Sequence, residues 1–326
     1  MEQITLRRPE YLSPTALTMW KKNKEEYFLK YLTIDRPPPF PQTDAMSVGS
    51  SFDAYVKSFL YAVFYKGGEL EGQFEFDTIF TTQVEEQHRD FALAAGADVF
   101  SAYKASGALN DLVRMLQSTG NDFTMETTER SSAVGSGVVL LGKPDLVFTL
   151  RTGQQVVLDW KVNGYCSKNG ARPIAGYVDY RDGKGTTKTV KGSHKNVVLE
   201  YIGDYLINGQ PNIETSQKDW ANQLCTYGWV TGVQVGDPLY VAVDQLVCTP
   251  STISVAKHRC EITQAYQEGV YAAYEECWSV IQSDHIFRDR SFEESDDRCR
   301  QLLMQSKAFQ GDDANTKWLR GMAGRA

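Results

Sequence analysis

Three charged residues stand where a sheet protein would ordinarily place Val or Thr. Asp145 follows a Gly-Lys-Pro turn, and Asp159 and Lys161 close the apolar run "QVVLDWK". Side chains two apart on a strand share a face, so Asp159 and Lys161 point together and Trp160 points away. The turn "RTGQ" (Arg151 to Gln154) folds the preceding strand back antiparallel. Residues whose numbers sum to about 305 then lie opposite one another, which puts Asp145 near Trp160 and within diagonal reach of Asp159. Two neighbouring carboxylates repel unless a cation or a proton lies between them. Such an oxygen-rich site suits Mg²⁺ or Mn²⁺. A lysine beside it can orient or activate a water and offset charge building on a phosphate. This chemistry is suited to hydrolysing a phosphodiester. The structural alternative is a turn cap at Asp145 and a surface ion pair between Asp159 and Lys161. The apolar "VVL" before Asp159 favours function, because it places the charges at the end of a buried strand.

The elements that must hold these residues follow from periodicity. "SPTALTMWKKNKEEYFLKYL" has an N-cap Ser13, Pro14 at the first helical position and apolar residues at helical spacing, which predicts one helix. "RPPPFP" (Arg36 to Pro41) ends that region. "SVGSSFDAYVKSFLYAVFY" reads as a second helix, and residues 83–117 as further helical segments. "SGVVLLG", "DLVFTL" and "QVVLDWK" are short, β-branched and bounded by Gly, which predicts three strands. A Gly-, Lys- and Thr-rich stretch leads to a helix, "WANQLCTYGWVTG". Two more strands follow in "PLYVAVDQLVCTPSTISVAKHRCEIT", and then two C-terminal helices, the second over Phe292 to Phe309. Helices, strands, helix, strands and helices in that order predict an α/β fold, a central mixed sheet flanked by helices. We expect one domain over residues 1–326: a mainly helical part (1–120), a sheet (121–262) and C-terminal helices (263–326).

Bulk properties bound the function. The 326 residues are 42% hydrophobic and 23% charged, ordinary for a globular protein. No apolar run reaches membrane-spanning length, so no membrane partner is expected. The start, "MEQITLRRPEYLSPTAL", lacks the apolar region of a signal peptide, and a cytoplasmic location is expected. Six cysteines are spread from Cys166 to Cys299 without a CxxC pair, which reads as free thiols. His258 and Cys260 could ligate an ion, but their spacing is unlike a repeated metal motif. The net charge of −7 argues against nucleic acid as a general partner. From Lys161 to Asn196, however, eight basic residues face only Asp179 and Asp182, a local surface able to grip phosphates. Tyr165, Tyr177 and Tyr180 interleave with residues such as Lys168 and Arg172, a pattern that could track a DNA strand and stack its bases. A solvated loop is the alternative reading.

These residues resemble the PD-(D/E)XK nuclease signature, with "GKPD" followed 14 positions on by the Asp of "LDWK". Gln223 and Tyr227 in "QLCTY" match the Q-x-x-x-Y motif of the RecB-like exonuclease branch. "LSPTALTMWKKNKEEYFLKYL" resembles that branch's N-terminal helix. "VGSSFDAYV" resembles its Gly-x-x-x-His helix, with Asp53 where the family usually has His. The resemblance covers residues 11–285 and implies a restriction-endonuclease-like core with helical N- and C-terminal additions. It implies Mg²⁺ or Mn²⁺ on Asp145, Asp159, the Trp160 carbonyl and Asp53, with Lys161 catalytic and Gln223 and Tyr227 supporting it. It also implies DNA contacts from Ser13 and Thr15, for which plain helix capping is the alternative. The cysteine spacing departs from the cluster-bearing members, so no iron–sulfur cluster is expected. The implied activity is a metal-dependent DNA nuclease, with an exonuclease expected, acting in recombination, repair or DNA processing in a bacterium or phage. A recombinase, single-strand-binding protein or helicase would be a natural partner. The rival is an inactive DNA-binding or assembly protein on a nuclease-derived fold. No P-loop, G-x-S-x-G or Rossmann fingerprint supports another α/β enzyme.

Overall fold

A computed structural model describes residues 6–34, 36, 41–68, 71–120, 123–125, 129–135, 137–173, 189–191, 196–198, 201–202, 213–283 and 285–307. The helices in chain order are α1 (Pro14–Lys22), α2 (Lys24–Tyr27), α3 (Asp44–Phe64), α4 (Glu71–Phe74), α5 (Phe76–Gln83), α6 (Arg89–Ala105), α7 (Ala108–Ser118), α8 (Ile213–Ser216), α9 (Lys218–Val230), α10 (Gln264–Gln282) and α11 (Phe292–Lys307). The strands are β1 (Phe123–Met125), β2 (Arg130–Val134), β3 (Val138–Gly142), β4 (Leu146–Thr149), β5 (Gln155–Asn163), β6 (Thr189–Lys191), β7 (Asn196–Val198), β8 (Tyr201–Ile202), β9 (Leu239–Cys248) and β10 (Thr252–Ile262). Where one domain over 1–326 is expected, the contacts fall into two compact units interleaved in sequence. One holds residues 1–41, 130–142 and 265–326, and the other holds 42–129 and 143–264.

In the first unit the expected single N-terminal helix is broken. Asn23 is extended (φ −154°); its N–H closes α1 on the Met19 carbonyl, and its side chain accepts from Glu26 N–H to open α2. The side-chain cap competes with helix continuation, which is why Asn breaks a pattern whose apolar spacing runs on. A π-helical turn (Phe28–Leu32) follows and buries Phe28 and Leu32. "SGVVLLG" is a strand as expected, but β3 pairs with β2 in a separate two-stranded ribbon. Arg298 forms a bidentate pair with Glu25, both contacts 2.7 Å, tying α11 to α2.

The second unit is α/β with a mixed sheet flanked by helices. Its strand order is β1-β4-β5-β9-β10-β7-β6, with β8 also on β10. β4 and β5 form an antiparallel hairpin, β5 runs parallel to β9, and β9 and β10 form a second hairpin. The first hairpin turns at Gly153, whose φ of +84° is open to Gly and strained for other residues. Alternation along β5 sorts its residues by face. Val156, Leu158 and Trp160 join the core formed with α3, α6 and α7, including Phe52, Tyr103 and Leu112. Asp159 and Lys161 share the other face, where Lys161 reaches α9. α9 itself packs so closely on β9 that a Cβ on Gly228 would lie 2.4 Å from Leu239. α3 and α6 also cross without room for larger residues: a Cβ on Gly96 would lie 2.2 Å from Ser51 Oγ. That contact fixes α3 two residues before Asp53.

Candidate active site

The hairpin register brings the two acids together. Leu146 pairs with Leu158, and Thr149 with Gln155, so partner numbers sum to 304, one below the sequence expectation. Asp145 lies in the bend just before β4 and therefore stands opposite Asp159, closer than expected. Its Oδ2 accepts the Trp160 backbone N–H at 3.1 Å. The two carboxyl groups are close enough for each to act on the other's proton, so they titrate as a pair.

Their environments push them apart. Asp159 is 3% exposed. Burial raises its carboxyl to about 7; the Lys161 ammonium opposes this, and the Asp145 charge adds to it. For Asp145, burial also acts upward, but the Lys57 charge and the Trp160 N–H outweigh it and hold the carboxyl below the usual carboxylate range. Below about pH 7 the pair therefore carries its proton on Asp159 and its charge on Asp145.

Lys161 is the hub of a polar chain. Its Nζ lies 2.6 Å from Asp159 Oδ2 and donates to Gln223 Oε1 at 2.7 Å. Gln223 Nε2 donates to the Tyr227 hydroxyl at 2.5 Å. Gln223 and Tyr227 are one turn apart on α9 and so share a face. Burial, with the charges of Asp159 and Asp145, pushes the Tyr227 hydroxyl far above its ordinary value, so it stays neutral. Asp145, Asp159, Trp160, Lys161, Gln223 and Tyr227 line one cleft of about 260 Å³, together with Asp53 and Lys143.

Lys57 and Lys143 enter this setting without a sequence forecast. Lys57 is fully buried; its Nζ lies 2.9 Å from Asp53 Oδ1 and 3.3 Å from Asp145 Oδ1. Burial acts against its charge, but the two carboxylates outweigh it and hold the ammonium protonated. Burial raises the Asp53 carboxyl despite that partner. Burial and the Lys57 charge lower Lys143. The available signal for Lys57 was its place four residues after Asp53, on the same helix face. Beneath the site, the Trp160 indole N–H donates to the Tyr103 hydroxyl at 3.3 Å. Tyr103 in turn donates to Asp244 at 2.5 Å, and Arg259 clamps Asp244 at 2.6 Å.

A hard divalent cation fits this donor set in part. Asp53 Oδ1 and Asp159 Oδ2 are buried oxygens that face lysine ammoniums, at 2.9 and 2.6 Å. Carboxylate oxygens of this kind suit Mg²⁺ or Mn²⁺. Among the described residues, no group of three or more His, Cys, Asp or Glu side chains is disposed to hold a metal. The fit therefore rests on the Asp145–Asp159 pair.

The remaining forecast residues lie elsewhere. Lys168 and Arg172 are exposed on the chain leaving β5. Tyr165 is half-buried there, its hydroxyl donating to Asp98 at 3.1 Å. Tyr177 and Tyr180, with much of the basic stretch and most of "RPPPFP", lie outside the described residues. Ser13 and Thr15 belong to the first unit, where Ser13 Oγ caps α1 by accepting Ala16 N–H at 3.2 Å. His258 is buried, its Nε2–H donates to Gln245 Oε1 at 3.0 Å, and burial lowers its ring to about 3, so it stays neutral. Among the described residues no helix is long and apolar enough to cross a membrane.

No protein-family model matches the chain, and no curated protein is significantly similar to it. A solved structure, described as that of SSO0001, is 14% identical over 82% of this chain and 85% of its own, with a TM-score of 0.23. A likeness at that level carries no argument about fold or function.

Proposed function

We propose that the chain is a metal-dependent DNA nuclease, with a restriction-endonuclease-like core of the RecB-like type. One observation carries this reading: the relay Asp159–Lys161–Gln223–Tyr227 meets Asp145 in a single cleft, where the bend before β4 faces the middle of β5. A sheet has no structural need for two carboxylates and a lysine at that spot, and the Asp159 carboxyl there costs stability.

Bound Mg²⁺ or Mn²⁺ would make a water more acidic and offset charge on the phosphate. The chain's own residues do the rest. Asp145, held ionised by Lys57 and the Trp160 N–H, supplies a fixed negative ligand. Asp159 completes the pair once its proton is lost. Lys161, steered by Gln223, presents N–H donors to the cleft, where they can orient an attacking water or hydrogen-bond a phosphoryl oxygen. Tyr227 fixes the Gln223 amide, so the lysine does not swing freely. Lys143, with Lys168 and Arg172 further along the chain, offers positive charge to a phosphate backbone. DNA is the proposed substrate; a recombinase, helicase or single-strand-binding protein is the proposed partner, and the cytoplasm the setting.

The test is cleavage of end-labelled linear and covalently closed circular DNA, with Mg²⁺, Mn²⁺ or EDTA. The reading requires cleavage that EDTA stops and that Asp145→Ala or Lys161→Ala abolishes. Sparing of the circles identifies an exonuclease. Cleavage that persists in both variants sinks the proposal.

One observation favours a second reading, an inactive DNA-binding or assembly protein. A buried ammonium already neutralises part of the carboxylate set, as Lys57 does here. This reading requires DNA retention without cleavage of any substrate and without divalent-cation uptake.

A further inference from the structure

Three carboxylates, Asp53, Asp145 and Asp159, are matched by three lysines, Lys57, Lys143 and Lys161. Lys57 bridges Asp53 and Asp145, Lys161 pairs with Asp159, and Lys143 lines the same cleft. With Asp159 deprotonated, as metal binding requires, the formal charge of the set is therefore zero. One divalent ion brings it to about two positive charges and a second to about four, in a site with little water to screen them. Phosphate binding can offset the first excess far more readily than the second.

Lys57 also occupies the place a second ion would need. A metal bridging Asp53 and Asp145 would use the oxygens now facing Lys57 Nζ, at 2.9 and 3.3 Å. The side chain has no exposed surface, and it rises from the middle of α3, whose neighbouring residues Val56 and Leu60 are also fully buried. It has no solvent-facing position to swing to without unpacking the helix.

We infer that Lys57 is a built-in cation that limits this site to one divalent ion. Its ammonium ties Asp53 to Asp145 and leaves the ion to Asp145 and Asp159. The inference rests on the metal-dependent reading above and makes it narrower: one-ion chemistry, with Asp53 serving the lysine and not the metal. Lys57 is thus a positioning residue, acting through Asp145.

The experiment counts ions directly. The full-length chain is titrated with Mn²⁺, and free Mn²⁺ is followed by electron paramagnetic resonance, for wild type, Lys57→Gln and Asp53→Asn. The expected counts are one, two and one per chain. Asp53→Asn keeps the decision open even if Lys57→Gln does not fold, because it leaves the buried ammonium in place and should not change the count. Two ions on wild type overturn the inference while the nuclease reading stands. A single ion on folded Lys57→Gln, or none on Asp53→Asn, also overturns it. No ion on wild type overturns both the inference and the metal-dependent reading.

Discussion

Replacing Asp159 by Asn should stabilise the protein in the absence of metal. A carboxyl held at about 7 in the folded chain, against 3.8 for an ordinary Asp, is a cost of folding at neutral pH. The sign follows from linkage: a group raised on folding contributes stability below its unfolded value and loses it as pH climbs through its folded value. The loss therefore runs from about pH 4 to about pH 7, and by pH 7.5 it amounts to about 4 kcal/mol. Asn cannot ionise, so the variant escapes that loss. Its amide can donate to the neighbouring Asp145 carboxylate, and Lys161, part-exposed, can turn to water. Urea unfolding in EDTA measures the effect. We expect the variant to exceed wild type by about 2–4 kcal/mol at pH 7.5, with the gap closing toward pH 4. Adding Mg²⁺ should narrow the gap by stabilising only wild type. A variant less stable than wild type at pH 7.5 would refute the reasoning, because Asp159 would then be a structural partner of Lys161 and not a group held under strain.

Other outcomes follow from the same geometry. Divalent-cation affinity should fall about tenfold for each pH unit below about 7, as the ion must displace the Asp159 proton; calorimetry in buffers of different ionisation enthalpy reads the released proton. Gly96→Ala should cost about 1–3 kcal/mol in urea unfolding, because its methyl meets Ser51 at the α3–α6 crossing. Tyr103→Phe should cost about 1–3 kcal/mol by leaving an Asp244 oxygen and the Trp160 indole short of a partner. Gln223→Leu should lower kcat with little change in melting temperature, since it frees Lys161 without opening the core; equal loss in both would mark Gln223 as merely structural.

The legible parts of this site were the local ones. Period two along "VVLDWK" set Asp159 and Lys161 on one face, and an i,i+4 step set Gln223 and Tyr227 on another. The hairpin was legible from its Gly turn, but its register slipped by one because the loop closes at Gln154, whose carbonyl accepts the Leu150 N–H at 2.8 Å, so Gln154 faces Leu150 and leaves the turn. What required the tertiary structure is non-local. Tyr103, Trp160, Asp244 and Arg259 come from α6, β5, β9 and β10, and nothing in their sequence spacing announces a network. Nor does an apolar strand such as β3 reveal that its partner is β2 and not β4. The break at Asn23 did have a local signal, Asn with Glu three positions on, which the continuous apolar periodicity overrode.

The alternation along β5 has an evolutionary consequence. Trp160 and its neighbours Leu158 and Val156 serve the core, while Asp159 and Lys161 serve only the cleft. From Leu158 to Lys161, selection for folding therefore acts on Leu158 and Trp160 and is blind, or even opposed, to Asp159 and Lys161. On the proposed function, a descendant released from that activity could shed Asp159 in one substitution and fold more firmly for it. In this architecture losing the cleft carboxylate would leave no scar in the core.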